Sequence, residues 1–129
     1  MLVTAGALAC APSGDRADQR LMQEGRTYTA WLYGSEYTKL WDRFSPEMRQ
    51  TFGSVADLAS FASRAVKNLG TEQGQVDEQV NAAEPYTVYS RSASFNKSRH
   101  RMLIEWSLAR DGAVTGLVVR PVADSSPGR

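Results

Sequence analysis

The sequence holds one cysteine and one histidine in 129 residues, and each scarcity sets a limit. A lone Cys10 cannot close an intramolecular disulfide. With a single histidine beside it there is no cluster of zinc-ligand spacing, so no transition-metal site is expected and no cofactor is implied. Charge of one sign is also missing: fifteen Lys and Arg against fourteen Asp and Glu leave a formal +1. That balance, with no acidic or basic tail, argues against nucleic acid or a strongly anionic membrane surface as partner. The nucleophile and phosphate-binding signatures G-x-S-x-G, H-E-x-x-H and a Gly-rich phosphate loop are absent, and S-x-x-K occurs once, as Ser94-Phe95-Asn96-Lys97 in the polar turn region. Long hydrophobic runs are lacking too. The most apolar stretch, Met1 to Ala11, is far shorter than the roughly 20 residues a membrane-crossing helix takes. What remains, 42% hydrophobic and 22% charged residues, is the composition of one globular domain with a core of ordinary size.

Met1 to Ala11 (MLVTAGALACA) carries no charge and breaks at Pro12-Ser13-Gly14 into a polar stretch. It resembles the end of a bacterial secretory signal, and Ala7-Leu8-Ala9-Cys10 is similar to a lipobox, which implies Cys10 as a lipid-modified first residue. Two features depart from that pattern: alanine stands at position 7 where leucine or valine is usual, and no Lys or Arg precedes the apolar run. The other reading is an Ala-rich terminus with an inert cysteine. Residues 1–14 are therefore expected outside the fold, with the domain over 15–122 and a flexible tail over 123–129. The expected location is extracytoplasmic, membrane-anchored only through a lipid on Cys10, with a cytoplasmic protein as the alternative.

From about Asp15 the spacing of Leu21, Gly25, Tyr28, Trp31 and Leu32 predicts an amphipathic helix that stops near Gly34. Ser35 is placed to cap a short second helix carrying Tyr37, Leu40, Trp41 and Phe44. Ser45-Pro46-Glu47 is a cap followed by a proline at the first helical position, which starts a third helix ending at Gly53. Ser54-Val55-Ala56-Asp57 opens a fourth, which carries Leu58, Phe61, Ala62, Val66 and Leu69 to a stop at Gly70.

The second half reads as strands. A weak alternation from Val76 to Ala82 ends at Glu84-Pro85. Tyr86–Phe95 and His100–Arg110 flank a polar turn, and Asp111-Gly112 is a candidate two-residue type I′ hairpin turn. Pairing Phe95 with His100 sets Ala93 opposite Met102, Arg91 opposite Ile104 and Tyr89 opposite Trp106. The second turn sets Leu108 opposite Thr115, Trp106 opposite Leu117 and Ile104 opposite Val119. Both turns select the same apolar face, and a slip of one residue would invert it. Along that face the only charge is Arg91, and no carboxylate is expected there.

Helices first, then an antiparallel sheet, together with Trp41-Asp42-Arg43-Phe44, Ser45-Pro46-Glu47-Met48, the Phe61 helix ending in Leu69-Gly70, Tyr86-Thr87-Val88-Tyr89 and Asp111 to Val119, resemble an uncharacterised bacterial domain family. That family belongs to the nuclear transport factor 2-like superfamily (cystatin-like, the ketosteroid isomerase fold), and its members stand alone in exported proteins or precede serine hydrolases. The resemblance implies an α+β cone with N-terminal helices on the concave face of a curved sheet of about four strands. The implied function is a non-catalytic binding or accessory module. A small-molecule-binding or isomerase-type enzyme using the cone, and a scaffold that homodimerises through the exposed sheet face, are its rivals. Implied partners are a second copy or a separately encoded hydrolase, and fold alone does not choose among them.

The candidate lining of the cone is Arg91, Tyr89, Trp106, Trp31 and Trp41. An inward guanidinium must be paired or meet an anion; Arg91 is expected either to snorkel to the mouth of the cone or to pair with a helix carboxylate such as Asp42 or Glu47, with an anionic ligand as the rival. Glu36 and Asp42 are expected on a solvated rim. His100, flanked by Arg99 and Arg101, is expected to be structural and half exposed.

Overall fold

Helices fill the first half of the described chain, residues 13–122 of a computed structural model. Cys10 and the tail 123–129 lie outside the described residues. Helix α1 (Ser13–Tyr33) buries Leu21, Tyr28 and Leu32 and keeps Arg16 and Arg20 in solvent, as the three-and-four spacing predicts. Its C-terminus is closed differently from expectation. Ser35, not Gly34, takes the left-handed conformation (φ 64°), and the Glu36 amide donates to the Trp31 carbonyl at 2.9 Å, the long-range bond of a Schellman closure. Ser35 therefore finishes α1 instead of capping α2 (Tyr37–Asp42), whose cap position is Glu36 without a side-chain bond.

The next two caps are as expected. Ser45 Oγ accepts from the Met48 amide at 3.1 Å and starts α3 (Pro46–Phe52); Ser54 Oγ accepts from the Asp57 amide at 3.1 Å and starts α4 (Val55–Ala65). The last helix is shorter than its apolar spacing predicts, because the chain tightens into a single 3₁₀ turn over Lys67–Leu69 before Gly70. Phe44 lies beyond α2, in a short parallel bridge to Val114.

Four antiparallel strands follow in the order β1-β2-β3-β4: β1 (Glu72–Ala83), β2 (Tyr86–Phe95), β3 (Met102–Leu108) and β4 (Val114–Pro121). Across β2 and β3, Tyr89 faces Trp106, Arg91 faces Ile104 and Ala93 faces Met102. Across β3 and β4, Trp106 faces Leu117 and Ile104 faces Val119. The expected register therefore holds through the middle of the sheet.

Both turns differ in detail. The β2–β3 ladder keeps the expected register but ends at Ala93 and Met102, so Phe95 is paired only on its other side, with Glu72 of β1, and His100 stands exposed in the turn. At the other hairpin, the Gly112 amide donates to Ala109 O and the Ala109 amide to Ala113 O, both at 2.8 Å, with Gly112 at φ 90°. That is a three-residue turn with glycine in the bulge position, one residue longer than the type I′ turn expected. Leu108 consequently pairs with Val114, and a register shift beside Ser107 restores the expected pairing further along. The bulge turns Val114 into the core, where it is fully buried.

Helix α1 lies on the apolar face. The Tyr28 ring sits 5.7 Å from that of Trp106, whose indole N–H donates to Thr29 Oγ1 at 3.0 Å, so a fully buried tryptophan has its polar atom satisfied. Gly25 is required by contact: a Cβ there would fall 2.2 Å from the Tyr89 ring, so the ring rests directly on the helix backbone. Tyr28 also donates to the Gly112 carbonyl at 2.6 Å and accepts from Arg43 Nε at 3.1 Å, tying the β3–β4 turn to the helices. At the other end of the sheet, Ala93, Phe95 and Met102 form a second apolar cluster with Tyr33, Leu69 and Val76.

Candidate functional site

Arg91 points to the helix-covered face, as its parity in β2 requires, and it is not free there. Its Nε and Nη2 donate to the two carboxylate oxygens of Glu72 at 2.8 and 2.7 Å. Its Nη1 donates to Glu78 at 2.8 Å and to the Tyr89 hydroxyl at 3.2 Å. Glu78 in turn accepts from Arg26 of α1, at 2.8 Å through Nη2, and from the Tyr89 hydroxyl. Tyr33 of α1 donates to Glu72 at 2.6 Å. Two arginines, two glutamates and two tyrosines thus form one network joining α1, β1 and β2, and its formal charges cancel.

The expectation of no inward carboxylate is corrected by these contacts, and so is the expected pairing with Asp42 or Glu47. Asp42, Glu47 and Glu36 are exposed on the helical rim. The sequence signal was present. Glu78 alternates with Val76 and Val80, and carrying that alternation upstream past Gly74 reaches Glu72. The irregularity between Gln73 and Asp77 adds two residues to β1, which preserves the face of everything before it. Arg26 carries no such signal, since its partner is distant in the chain and only the crossing of α1 over β1 brings them together.

The side chains of Arg91, Glu72 and Glu78 retain only 19%, 16% and 16% of their exposure. The arginine bonds still outweigh desolvation. Donation from Arg26, above all, holds the Glu78 carboxyl at about 2, against the upward push of burial. Glu72 is likewise lowered, chiefly by Arg91. Burial, then the bond to Glu78, pushes the Tyr89 hydroxyl up to about 12; burial, then Glu72, raises Tyr33. A general base works best with a pKa near the working pH. Here both carboxylates are held ionised as hydrogen-bond acceptors and both hydroxyls are held protonated, which suits a fixed polar lattice and not proton transfer.

Beside the network opens a cleft of about 420 Å³ lined by Arg26, Thr29, Tyr33, Glu72, Glu78 and Arg91. Of the expected lining, only Arg91 is there. Tyr89 joins the network through its hydroxyl, while its ring and that of Trp106 are fully buried. Trp31 is half-buried, 5.7 Å from Tyr28. Trp41 lies in a separate shallow groove of about 840 Å³ with Phe44, Pro46 and Arg49, whose guanidinium carbon sits 5.9 Å over the indole. The structure therefore divides the five residues between core, network and groove. Among the described residues there is no group of three or more His, Cys, Asp and Glu that could hold a metal ion, and no helix long and apolar enough to cross a membrane. No protein-family model, curated protein or solved structure matches this chain.

Proposed function

We propose that this chain is a non-catalytic binding or accessory module on the nuclear transport factor 2-like fold, exported and tethered through Cys10, with a separately encoded hydrolase or a second copy as partner. The order of helices followed by a four-stranded antiparallel meander supports the fold reading. The observation that carries the functional reading is that Arg91, the one cation on the inner face of β2, is bidentate to Glu72 and bonded to Glu78. A ligand anion would have to displace a carboxylate already in ideal geometry, and the neutral network offers it no net attraction. The aromatic space between α1 and the sheet is taken up by Tyr89 and Trp106.

A second reading, a small molecule bound in the 420 Å³ cleft with isomerase-type or carrier chemistry, is favoured by the carboxylates and Tyr33 that line open space there. Thermal melts with a panel of small carboxylates and apolar ring compounds separate the two. The module reading expects no change beyond about 1 °C at saturating concentrations. A rise of several degrees that Arg91→Met removes would overturn it in favour of the cleft.

A further inference from the structure

A formal charge of +1 conceals how the charges are distributed. No Asp or Glu occurs from Leu58 to Thr71 or from Pro85 to Ile104. The fold brings these two acid-free stretches together: the Lys97 amide donates to the Leu69 carbonyl at 2.9 Å and the Asn96 amide to Thr71 at 3.0 Å. Gly70, at φ 84°, sits so close that a Cβ would strike Asn96. Arg64, Lys67, Lys97 and Arg99 are all exposed at this end, with His100 beside them, and none of the four forms an ion pair among the described residues. Lys67 bonds only to the Ser35 hydroxyl. The basic groups of these stretches that do have carboxylate partners, Arg91 and Arg101, point elsewhere, to Glu72 and Glu78 and to Asp77. With four uncompensated cations here and +1 overall, the remainder of the chain carries a formal −3.

We infer that this end, formed by the 3₁₀ turn after α4 and the β2–β3 turn, is a docking surface for an acidic segment of a partner protein. The inference rests on the module reading and names the chemistry of the partner. The surface is made of projecting turns and lines none of the clefts described above, so it suits an extended polyanion better than a small enclosed anion. A bilayer surface is disfavoured because the exposed aromatic that could insert, Tyr86, stands at the opposite end of β2, about 30 Å away for a strand of 10 residues. Helix α1 also begins at that opposite end, where Arg20 donates to the Arg110 carbonyl.

The test uses the full chain and a labelled oligoglutamate peptide, at about 50 mM salt where exposed charges are less screened than at physiological ionic strength. Two triple variants with the same net charge are compared: K67E/K97E/R99E and the control R16E/K39E/R110E. Binding should weaken by at least about tenfold in the first and by less than about twofold in the second. Amide shifts in the unmodified protein should concentrate at residues 64–69 and 96–101, a readout independent of whether the variants fold. Equal losses in both variants, shifts centred elsewhere, absence of binding, or stronger binding to phosphatidylglycerol vesicles than to the peptide would each overturn the inference. A ligand response at the Arg91 cleft, by contrast, would remove the module reading itself, so the two failures are distinguishable.

Discussion

Glu78 shows how much one side chain can organise. It accepts from α1 through Arg26 and from β2 through Arg91 and Tyr89, so an edge strand with few buried side chains is fastened on two sides. Its folded pKa of about 2 lies below its ordinary 4.5. The stability it contributes is therefore fully present above about 4.5, where the unfolded carboxyl is also ionised. It is lost as pH falls through about 2, because below 4.5 the unfolded chain takes up the proton first. Glu78→Gln should lower stability by about 1–3 kcal/mol at neutral pH and flatten the acid limb between these values. Denaturant melts at a series of pH values check both. A variant that retains the parental acid limb would show that Glu78 is not the group responsible.

At the scale of elements, the contact between α1 and β2 turns on Gly25. On an exposed helix a Gly→Ala change gains about 1 kcal/mol from propensity. Here the new Cβ would lie 2.2 Å from the Tyr89 ring, and overpacking of that kind costs about 1–3 kcal/mol, so the clash should outweigh the propensity. Gly25→Ala is expected to destabilise the protein in urea melts; a gain in stability would mean that the ring does not rest on the helix. The strands themselves were largely legible. Tyr89, Ala93, Met102, Ile104 and Trp106 alternate cleanly, and the face they define survives at both hairpins. The turn at Asp111-Gly112 was legible in position but not in type, because a bulge one pair later cancels its extra residue. β1 was the hardest element to place: its inward positions mix Glu72 and Glu78 with Val76 and Val80, so hydrophobic alternation alone undercounts it.

For the whole molecule, the proposed anchoring rests on Cys10, outside the described residues. Expressed in its native host, the parent chain is expected in the membrane fraction and Cys10→Ser in the soluble fraction; identical partitioning of the two would count against lipidation. Helix α1 begins at the end of the domain opposite the uncompensated cations, where Arg20 meets Arg110. The charge polarity of the domain comes from Arg64, Lys67, Lys97 and Arg99, with Lys67 and Lys97 thirty positions apart in sequence yet on bonded turns. Composition averages such a polarity away.

Local physics settled what lay within a few residues: the Ser45 and Ser54 caps, the stripe of α1, and the apolar face of β2 and β3, since period and turn chemistry act over that range. Tertiary structure alone decided which carboxylates met Arg91, that Arg26 reached Glu78, that a tyrosine ring lay on Gly25, and that four cations shared one end. Each of those depends on the path of a distant segment, and an ion pair leaves no periodic trace in the sequence by which its partner could be found.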